Sequence, residues 1–281
     1  MNYRHAYHAG NFADVLKHAV LALCIEHLNL KEAPFRLIDV HAGVGRYDLA
    51  GLEAGKTLEW IDGIGRLLGM DAPPLPAAIE ELLRPYLGVV RGLNPDGLLS
   101  TYPGSPTIAR RLMRRQDALV VNELHAEDQT SLAALFARDR QTKVLALDAF
   151  VAIKSLLPPK ERRGLLLIDP PFEERDEFEK LAAALVEARQ RFETGMTILW
   201  YPIKDRRAVE AFIAAAASGP GSGKTLRAEL LIRAPTDDAK FNGCGLFIDN
   251  PPWTLKAALA RLGPFLAERL SQGAGARFDL S

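Results

Sequence analysis

The chain has 281 residues, 48% of them hydrophobic, enough for one large α/β domain with an insertion or for two small domains. Lys+Arg and Asp+Glu number 35 each, so an overall basic charge is excluded and any nucleic-acid-binding surface is expected to be a local patch. Cys24 and Cys244 form no CxxC pair, which argues against a disulfide scaffold or a zinc site, and the lack of a long apolar run predicts a soluble, cytoplasmic protein.

The first predicted elements are a helix and a strand that ends in a glycine turn. Apolar residues recur at helical spacing over residues 12–30, and Asn11 is suited to be the N-cap. A short apolar run at 37–40 then predicts a strand, which is followed by a turn containing Gly43 and Gly45.

Further strand-like runs alternate with helical patterns along most of the chain. This alternation predicts an α/β fold with a parallel, doubly wound sheet. The two last strands suit the antiparallel end of such a sheet. The predicted strands are 118–123, 143–148, 165–169, 196–200, 226–233 and 244–249.

The connection between the first two strands is unusually long. A βαβ crossover needs roughly a dozen residues, and about seventy separate Tyr47 from residue 118. We therefore predict a helical insertion subdomain, residues 49–98, over the carboxyl edge of the first strand, with 1–48 and 99–281 forming the main domain. The segments predicted as helices are 57–69, 77–91 and a basic helix after Tyr102-Pro-Gly-Ser-Pro106 that carries Arg110, Arg111, Arg114 and Arg115.

Ligands of open α/β sheets bind beyond the carboxyl ends of the strands, so strand-end residues are the first functional candidates. Gly43 and Gly45 allow a close backbone approach to a nucleoside, although a tight turn alone would also explain them. His41 and Tyr47 stand where a GxGxxG motif often has glycines, which argues against a pyrophosphate cofactor.

Acidic residues end the next two predicted strands. Glu123 is suited to accept hydrogen bonds from ribose hydroxyls, and Asp148 lies where a carboxylate or backbone amide meets an adenine ring. For either residue alone, an ordinary surface acid at a strand end is the commoner case. Their order after the glycine turn favours an adenosyl site.

The motif Asp169-Pro170-Pro171-Phe172 follows the apolar strand Leu165–Ile168. An exocyclic amine of a purine is a poor nucleophile because its lone pair is delocalised into the ring, so a site must orient it. The Asp169 carboxylate and the Pro170 carbonyl can accept hydrogen bonds from that amine, and Phe172 can stack on the extruded base. A loop that only ends a buried strand is the simpler alternative.

Two other motifs resemble functional loops, but their positions in the chain favour a structural role. Asn250-Pro251-Pro252-Trp253 repeats the pattern, but it follows the last predicted strand and is interpreted as a helix-initiating turn. Residues 218–225 nearly match a phosphate-binding loop but have a helix before and a strand after, the reverse of its context, so a connection is favoured. The histidines show no metal-binding spacing, and no metal is expected; those considered were His5, His8, His18 and His41.

Four segments in this order carry a resemblance to a known family. They are Tyr3-Arg-His-Ala-Tyr-His-Ala-Gly-Asn11, the His41–Tyr47 turn, the Tyr102–Pro106 turn and Ile168-Asp-Pro-Pro-Phe172. With them the chain resembles, nearly end to end, the RlmJ family of 23S ribosomal RNA adenine-N6 methyltransferases. The resemblance implies a class I, Rossmann-like S-adenosylmethionine-dependent methyltransferase sheet with a helical insertion subdomain, and 23S ribosomal RNA as the partner.

The resemblance also implies roles for individual residues. Asp169 is the catalytic residue by this comparison, and the substrate side takes Tyr3, His5 and Lys17 in addition to Pro170 and Phe172. Phe172 stands where the motif also has tyrosine, and Ala149 replaces a frequent glycine. The implied contacts to S-adenosylmethionine are His18, His41, Ser105, Glu123, Asp148, Ala149 and Asp169.

The sequence therefore predicts methylation of an adenosine N6 amine in 23S ribosomal RNA by a monomer that needs no metal. A DNA adenine or protein-amide methyltransferase is the nearest enzymatic alternative, because the same loop can hold any planar amine or amide. A non-catalytic RNA-binding or ribosome-assembly factor is the alternative from another class. The basic residues that are candidates for RNA contact, or equally for a solvated face, are Arg110, Arg111, Arg114, Arg115, Lys204, Arg206 and Arg207.

Overall fold

The computed structural model describes residues 5–174, 176–218, 223–236 and 240–281. A 3-10 turn at His5–Tyr7 precedes the first α-helix. The helices are α1 (Phe12–Asn29), α2 (Leu52–Thr57), α3 (Gly65–Leu68), α4 (Ala77–Leu93), α5 (Ser105–Leu112), α6 (Ala126–Phe136), α7 (Ala149–Leu156), α8 (Glu177–Arg191), α9 (Arg206–Ser218) and α10 (Leu255–Arg269). The strands are β1 (Arg36–Asp39), β2 (Arg46–Asp48), β3 (Thr101–Pro103), β4 (Ala118–Asn122), β5 (Thr142–Leu145), β6 (Gly164–Ile168), β7 (Met196–Ile203), β8 (Thr225–Leu231), β9 (Gly243–Asp249) and β10 (Arg277–Leu280).

Eight strands form one sheet in the order β5-β4-β1-β6-β7-β9-β8-β10. The five strands from β5 to β7 are parallel, and β9 is antiparallel to both of its neighbours. The strand order reverses between β1 and β6, and in such a sheet the ligand crevice opens over the carboxyl ends at that point. The predicted α/β fold with a parallel, doubly wound sheet is confirmed.

Both faces of the sheet are covered, which explains the continuous apolar runs of its central strands. All five residues of β6 are buried between β1 and β7. One core cluster lies on the face covered by α1, α4, α5 and α10, and the other on the face covered by α7, α8 and α9. The rigid centre of the sheet therefore fixes where β1, β4 and β6 end.

Helix α1 begins where the sequence predicts. The Asn11 side chain accepts hydrogen bonds from the backbone N–H groups of Ala13 and Asp14 at 2.9 and 3.1 Å, which is N-cap geometry. The cap fixes the first turns of α1, so that Asp14, Lys17 and His18 lie on one buried face at i, i+3 and i+4 spacing.

Several predicted boundaries are wrong, each for a local reason. Residues 57–69 do not form one helix, because Leu58 takes a left-handed conformation that ends α2, and α3 starts only at Gly65. Strand β5 ends at Leu145 rather than 148, since Asp148 caps α7. Arg114 and Arg115 lie beyond α5, which ends at Leu112.

Two features were missed by the sequence analysis. Strands β2 and β3 form a small antiparallel ribbon in which Tyr47 pairs with Tyr102, so the glycine turn and the Tyr102–Pro106 turn lie together. Strand β10 extends the sheet beyond β8, and β9 is therefore not the last strand. Of the connection predicted near 218–225, residues 219–222 lie outside the described residues.

The predicted insertion contributes helix α4, which packs against α1 and α10. The N-terminal segment also contacts the insertion, because Gly10 O accepts from Ile64 N at 2.8 Å and Asn11 donates to Glu59. The division into 1–48 with 99–281 and 49–98 stays a prediction. Within the described part of the chain, no helix combines the length and apolar character needed to cross a bilayer.

Candidate active site

The carboxyl ends of β1, β4 and β6 bring the candidate residues to one edge of the sheet. Asp39 ends β1, Glu123 follows β4, and Asp169 follows β6. A backbone hydrogen bond runs from Val40 N to Leu167 O, so the chain segments that leave β1 and β6 stay side by side. The sequence prediction that strand-end residues meet at one edge is met by this geometry.

Lys17 joins helix α1 to the loop after β6. Its Nζ lies 2.5 Å from Asp169 Oδ2 and 2.8 Å from Asp14 Oδ1, and the Lys17 side chain is almost completely buried. Burial alone would lower the pKa of Lys17, but the two carboxylates outweigh it and raise that pKa well above its usual value. Lys17 is therefore a permanent cation that fixes one oxygen of Asp169.

Asp14 connects this ion pair to the N-terminal segment, and it was not among the residues predicted from the sequence. Asp14 Oδ2 accepts from Gly10 N at 2.8 Å and lies 3.0 Å from His5 Nε2. Burial favours the neutral acid, yet the charges of His5 and Lys17 hold the pKa of Asp14 well below its ordinary value. The spacing of Asp14 three residues before Lys17 was the available sequence signal.

His41 supports the backbone of the Asp169 loop. The N–H of Asp169 donates to His41 Nδ1 at 3.3 Å, which requires a neutral ring with its proton on Nε2. Loss of solvation lowers the pKa of His41 to about 4, although Asp169 and Asp148 oppose the shift. At neutral pH His41 thus presents an N–H donor beside the candidate cofactor turn.

Asp39 and Ser105 form a fully buried pair at the end of β1. Ser105 Oγ donates to Asp39 Oδ2 at 2.7 Å, and His41 N donates to Asp39 Oδ1 at 3.2 Å. Burial raises the pKa of Asp39 to about 7 despite these two hydrogen bonds. The Ser105 proton is thus used by Asp39, and the predicted contact of Ser105 with a cofactor stays a prediction.

Glu123 is held in place by the glycine turn. Gly43 N donates to Glu123 Oε2 and His125 N donates to Glu123 Oε1, both at 2.8 Å. A carboxylate has about four acceptor positions, so these two bonds leave capacity for two hydroxyls. Burial raises the pKa of Glu123, and the half-exposed side chain remains open to a ligand.

Gly43 has a left-handed φ of 59°, and a Cβ there would lie 2.3 Å from the Tyr47 hydroxyl. Any other residue would therefore be strained and would collide with Tyr47. The turn requires glycine for its own geometry, so the predicted close approach to a nucleoside stays a prediction.

Asp148 and Ala149 begin α7 at the same edge. Asp148 Oδ1 accepts from the backbone N–H groups of Phe150 and Val151 at 3.0 Å, which makes Asp148 the N-cap of the helix. The Asp148 side chain is otherwise exposed, and Ala149 is buried. The capping role explains the acid at this position independently of any ligand, so the predicted adenine contact stays a prediction.

Pro170 and Phe172 complete the loop after β6. Pro170 is buried, and Phe172 has a left-handed φ of 53°. The Phe172 ring packs edge-on against Phe178 and Trp200, with centroids 5.0 and 5.8 Å apart. Such positive φ values are uncommon for aromatic residues and cluster at functional sites. The Phe172 side chain is only half-buried, and its predicted stacking on a base stays a prediction.

A buried chain of hydrogen bonds reaches the site from the insertion. His18 Nδ1 lies 2.8 Å from the Tyr102 hydroxyl, which lies 2.9 Å from the Tyr86 hydroxyl on α4. Loss of solvation lowers the pKa of His18 to about 3, so the ring is neutral. Tyr86 and Tyr102 were not predicted as site residues.

The structure thus groups nearly all of the predicted site residues. His5, Lys17 and Asp169 meet through Asp14, while Ser105, Glu123 and His41 surround the glycine turn. Tyr3 lies outside the described residues. Among the residues that the structure describes, no group of three His, Cys, Asp or Glu side chains is arranged to hold a metal ion.

The two groups of basic candidates lie at opposite edges of the sheet. Arg114 donates to the carbonyls of Asn29 and Lys31 before β1 and pairs with Asp117 before β4, so it lies at the amino edge. Lys204 and Arg207 are exposed just after the carboxyl end of β7. Only the second group shares an edge with Asp169.

Three features together define a class I, Rossmann-like methyltransferase. Strand β9 is reversed between β7 and β8, an acidic residue follows β4, and the Asp-Pro-Pro-Phe loop follows β6. A profile of the family described as "Ribosomal RNA large subunit methyltransferase D, RlmJ" matches residues 32–279. The chain belongs to this family of ribosomal RNA large subunit methyltransferases.

Two curated relatives carry the name ribosomal RNA large subunit methyltransferase J. The Escherichia coli protein is 40% identical over 270 residues, and the Haemophilus influenzae protein is 41% identical over 271 residues. Each alignment covers 96% of this chain and 94% of the relative. The family match predicted from the four motifs is confirmed.

Solved structures agree with the fold. A crystal structure of a Legionella pneumophila protein is 33% identical, covers 98% of each chain and superposes with a TM-score of 0.88. A probable spermidine synthase from Corynebacterium glutamicum is only 10% identical and covers 94% of this chain and 74% of its own, with a TM-score of 0.51. The second likeness concerns the fold alone.

Proposed function

We propose that this protein transfers a methyl group from S-adenosylmethionine to the exocyclic N6 amine of an adenosine in 23S ribosomal RNA. Membership of the family and the names of its two relatives support the substrate class. The observation that carries the chemistry is the position of Asp169 at the end of β6, with one oxygen held by Lys17.

The loop geometry fits an amine that must be oriented before it can react. Lys17 occupies Asp169 Oδ2, whereas no hydrogen bond from the described residues reaches Oδ1. Oδ1 and the Pro170 carbonyl accept the two N–H bonds of the amine, which aims the nitrogen lone pair away from the ring plane and toward the methyl donor. Phe172 stacks on the base, a contact of about 1–3 kcal/mol in single-strand binding.

The residues around the glycine turn fit S-adenosylmethionine. Glu123 keeps two acceptor positions for ribose hydroxyls, and Ser105 keeps its lone pairs as acceptors while its proton is donated to Asp39. When bound, the cofactor supplies an electrophilic methyl group on a sulfonium. The fit requires no metal, and the further cofactor contacts carried from the family are His18, His41, Asp148, Ala149 and Asp169.

Lys17 and His5 organise the substrate side. Lys17 is buried between two carboxylates, so it holds Asp169 as an oriented acceptor rather than acting as a base. His5 lies against the Asp14 carboxylate and packs against Tyr47 with ring centroids 5.3 Å apart. The N-terminal segment therefore contacts the same carboxylate as Lys17. The proton of the methylated amine leaves to solvent or to Asp169.

The test is transfer of labelled methyl from S-adenosylmethionine to protein-free 23S RNA that lacks this modification, followed by nucleoside analysis. The proposal expects N6-methyladenosine with the wild type and its formation about 100- to 1000-fold more slowly with Asp169→Ala. Asn250→Ala, in the similar loop at the other edge of the sheet, is the matched control and keeps activity.

Parallel reactions with DNA and with protein substrates separate the alternatives. Methylation of DNA adenine or of a protein amide, with none in RNA, would overturn the substrate assignment and leave the loop chemistry intact. RNA binding that is unaffected by Asp169→Ala, with no methyl transfer to any substrate, would instead indicate a non-catalytic RNA-binding factor.

A further inference from the structure

The hydrogen bonds that join Tyr86, Tyr102 and His18 have one favoured direction. All three side chains are fully buried, and Tyr86 has no hydrogen-bond partner other than Tyr102 in the described part of the chain. Burial raises the pKa of both tyrosines, so each remains a phenol with one proton to donate. The ring of His18 is neutral and also carries one proton.

Two arrangements of these three protons are possible. If Tyr86 donates to Tyr102 and Tyr102 donates to His18 Nδ1, both phenol protons have an acceptor, and the ring proton on Nε2 faces the Asp14 carboxylate. If His18 Nδ1–H donates to Tyr102 instead, one of the two phenol protons is left without an acceptor. An unsatisfied buried donor is costly, so the first arrangement is favoured. It places the His18 proton on Nε2.

The far side of the ring supports the same direction. His18 Nε2 lies 3.8 Å from Asp14 Oδ1, the carboxylate oxygen that also pairs with Lys17 Nζ at 2.8 Å. At 3.8 Å this contact is not a hydrogen bond, so a proton on Nε2 stays available to a ligand. An N–H at Nε2 is attracted by this carboxylate, whereas a lone pair there would be repelled. Both ends of the ring therefore favour the Nε2–H form.

We propose that Tyr102, itself oriented by Tyr86 of the inserted helix α4, is a positioning residue that holds His18 as the Nε2–H tautomer and so as a hydrogen-bond donor in the cofactor site. This inference rests on the proposed function, in which His18 contacts S-adenosylmethionine. It gives the insertion a role in cofactor binding that does not depend on contact with RNA. A donor at Nε2 suits an acceptor group of the cofactor, and the other tautomer would repel it.

The tautomer is measured directly by 15N NMR of histidine-labelled full-length protein, because protonated and unprotonated ring nitrogens resonate far apart. His18→Gln identifies the His18 signals by their loss. The wild type should show Nε2 protonated and Nδ1 unprotonated. Tyr102→Phe removes the donor to Nδ1 without changing shape, and the His18 signals should shift toward a mixture of the two forms.

Methyl-transfer kinetics supply the second readout. Tyr102→Phe should raise the KM for S-adenosylmethionine about tenfold, the effect of losing one buried hydrogen bond, and change kcat by less than about threefold. Tyr86→Phe leaves the Tyr102 donor in place, so the KM should rise only about twofold.

Tyr201→Phe is the matched control. Tyr201 is also fully buried and donates to Glu229 at 2.9 Å, away from His18. Its loss should lower the unfolding temperature without moving the His18 signals or the KM, which separates positioning from general destabilisation.

The proposal is overturned if the wild type carries the proton on Nδ1, or if Tyr102→Phe folds and leaves both the tautomer and the KM unchanged. If Tyr102→Phe does not fold, the His18 tautomer in the wild-type spectrum and the KM of Tyr86→Phe still test the proposal. Failure of the proposed function has a different signature, since the tautomer would be as expected while N6-methyladenosine is absent from the RNA product.

Discussion

Two loops of nearly the same sequence lie at opposite edges of the sheet. Asp169-Pro-Pro-Phe172 follows the buried strand β6, and Asn250-Pro-Pro-Trp253 follows the buried strand β9. The first residue after each proline pair is aromatic, and both loops contain a residue with positive φ. The four residues of each loop do not by themselves distinguish which loop is catalytic.

Their surroundings differ completely. Asp169 faces Lys17 and His41, whereas Asn250 donates to the carbonyls of Glu193 and Gly195 and so only ties chain segments together. Trp253 is 83% exposed, and the loop leads into α10. The interpretation of this loop as a helix-initiating turn is confirmed.

The difference arises from strand direction. Strand β9 is antiparallel to β7, so its carboxyl end lies at the amino edge of the parallel strands, far from the crevice over β1 and β6. The edge of the sheet at which such a motif lies therefore decides whether it can contact the site. Four predictions test this contrast.

The largest expected effect is on stability at the amino edge. Arg189 Nε and Nη2 pair with Asp249 at 2.5 and 2.7 Å, and both side chains are buried. Arg189→Met leaves the Asp249 carboxylate buried and unpaired, which should lower the free energy of unfolding by about 3–5 kcal/mol. Urea unfolding measures the loss, and kcat below the transition should be unchanged.

Arg191→Met is the control for Arg189, because its pair with Glu187 is solvent-exposed and should not contribute measurably. Equal unfolding midpoints for the two variants would contradict a structural role for the buried pair.

The second effect is on catalysis at the carboxyl edge. Asp169→Ala removes the oriented acceptor and should lower kcat about 100- to 1000-fold, while Asn250→Ala should leave kcat unchanged. Single-turnover methyl transfer at saturating RNA measures both. A comparable loss in the two variants would show that the loops do not differ as strand direction implies.

The third effect is a pH dependence of stability centred on His41. Its folded pKa of about 4 lies below the ordinary value, so the neutral ring stabilises the fold fully above about pH 6.5 and less as the pH falls toward 4. Between pH 7 and 4 the wild type should lose on the order of 2 kcal/mol more than His41→Gln. Parallel slopes of unfolding free energy against pH for the two proteins would exclude a neutral His41 with a lowered pKa.

The smallest effect concerns the two aromatic residues. Phe172→Leu keeps apolar packing against Phe178 but removes a stacking surface, and should raise the KM for RNA about tenfold. Phe172→Tyr should retain wild-type KM, and Trp253→Ala should not change it. An RNA KM that rises in Trp253→Ala but not in Phe172→Leu would reverse the assignment of the two loops.

Much of the fold was predictable because its signals are local. Continuous apolar runs identified β1, β4, β6 and β9, and Asn11 marked the start of α1. Since parallel strands end at a common edge, the order of Gly43, Glu123 and Asp169 was enough to place a candidate site. Strand β10 was not predicted because none of its four residues at the edge of the sheet is buried.

The sequence by itself determined the α/β class, the family and the loop that is proposed to carry the reaction, since these depend on short motifs and on burial patterns read along the chain. Tertiary structure alone decided that strand direction places the second proline loop at the opposite edge, which arginines share an edge with Asp169, and that Asp14 and the Tyr86–Tyr102 pair support the site. Each of these depends on strand direction or on contacts between residues far apart in the chain, and single-sequence patterns do not encode such contacts.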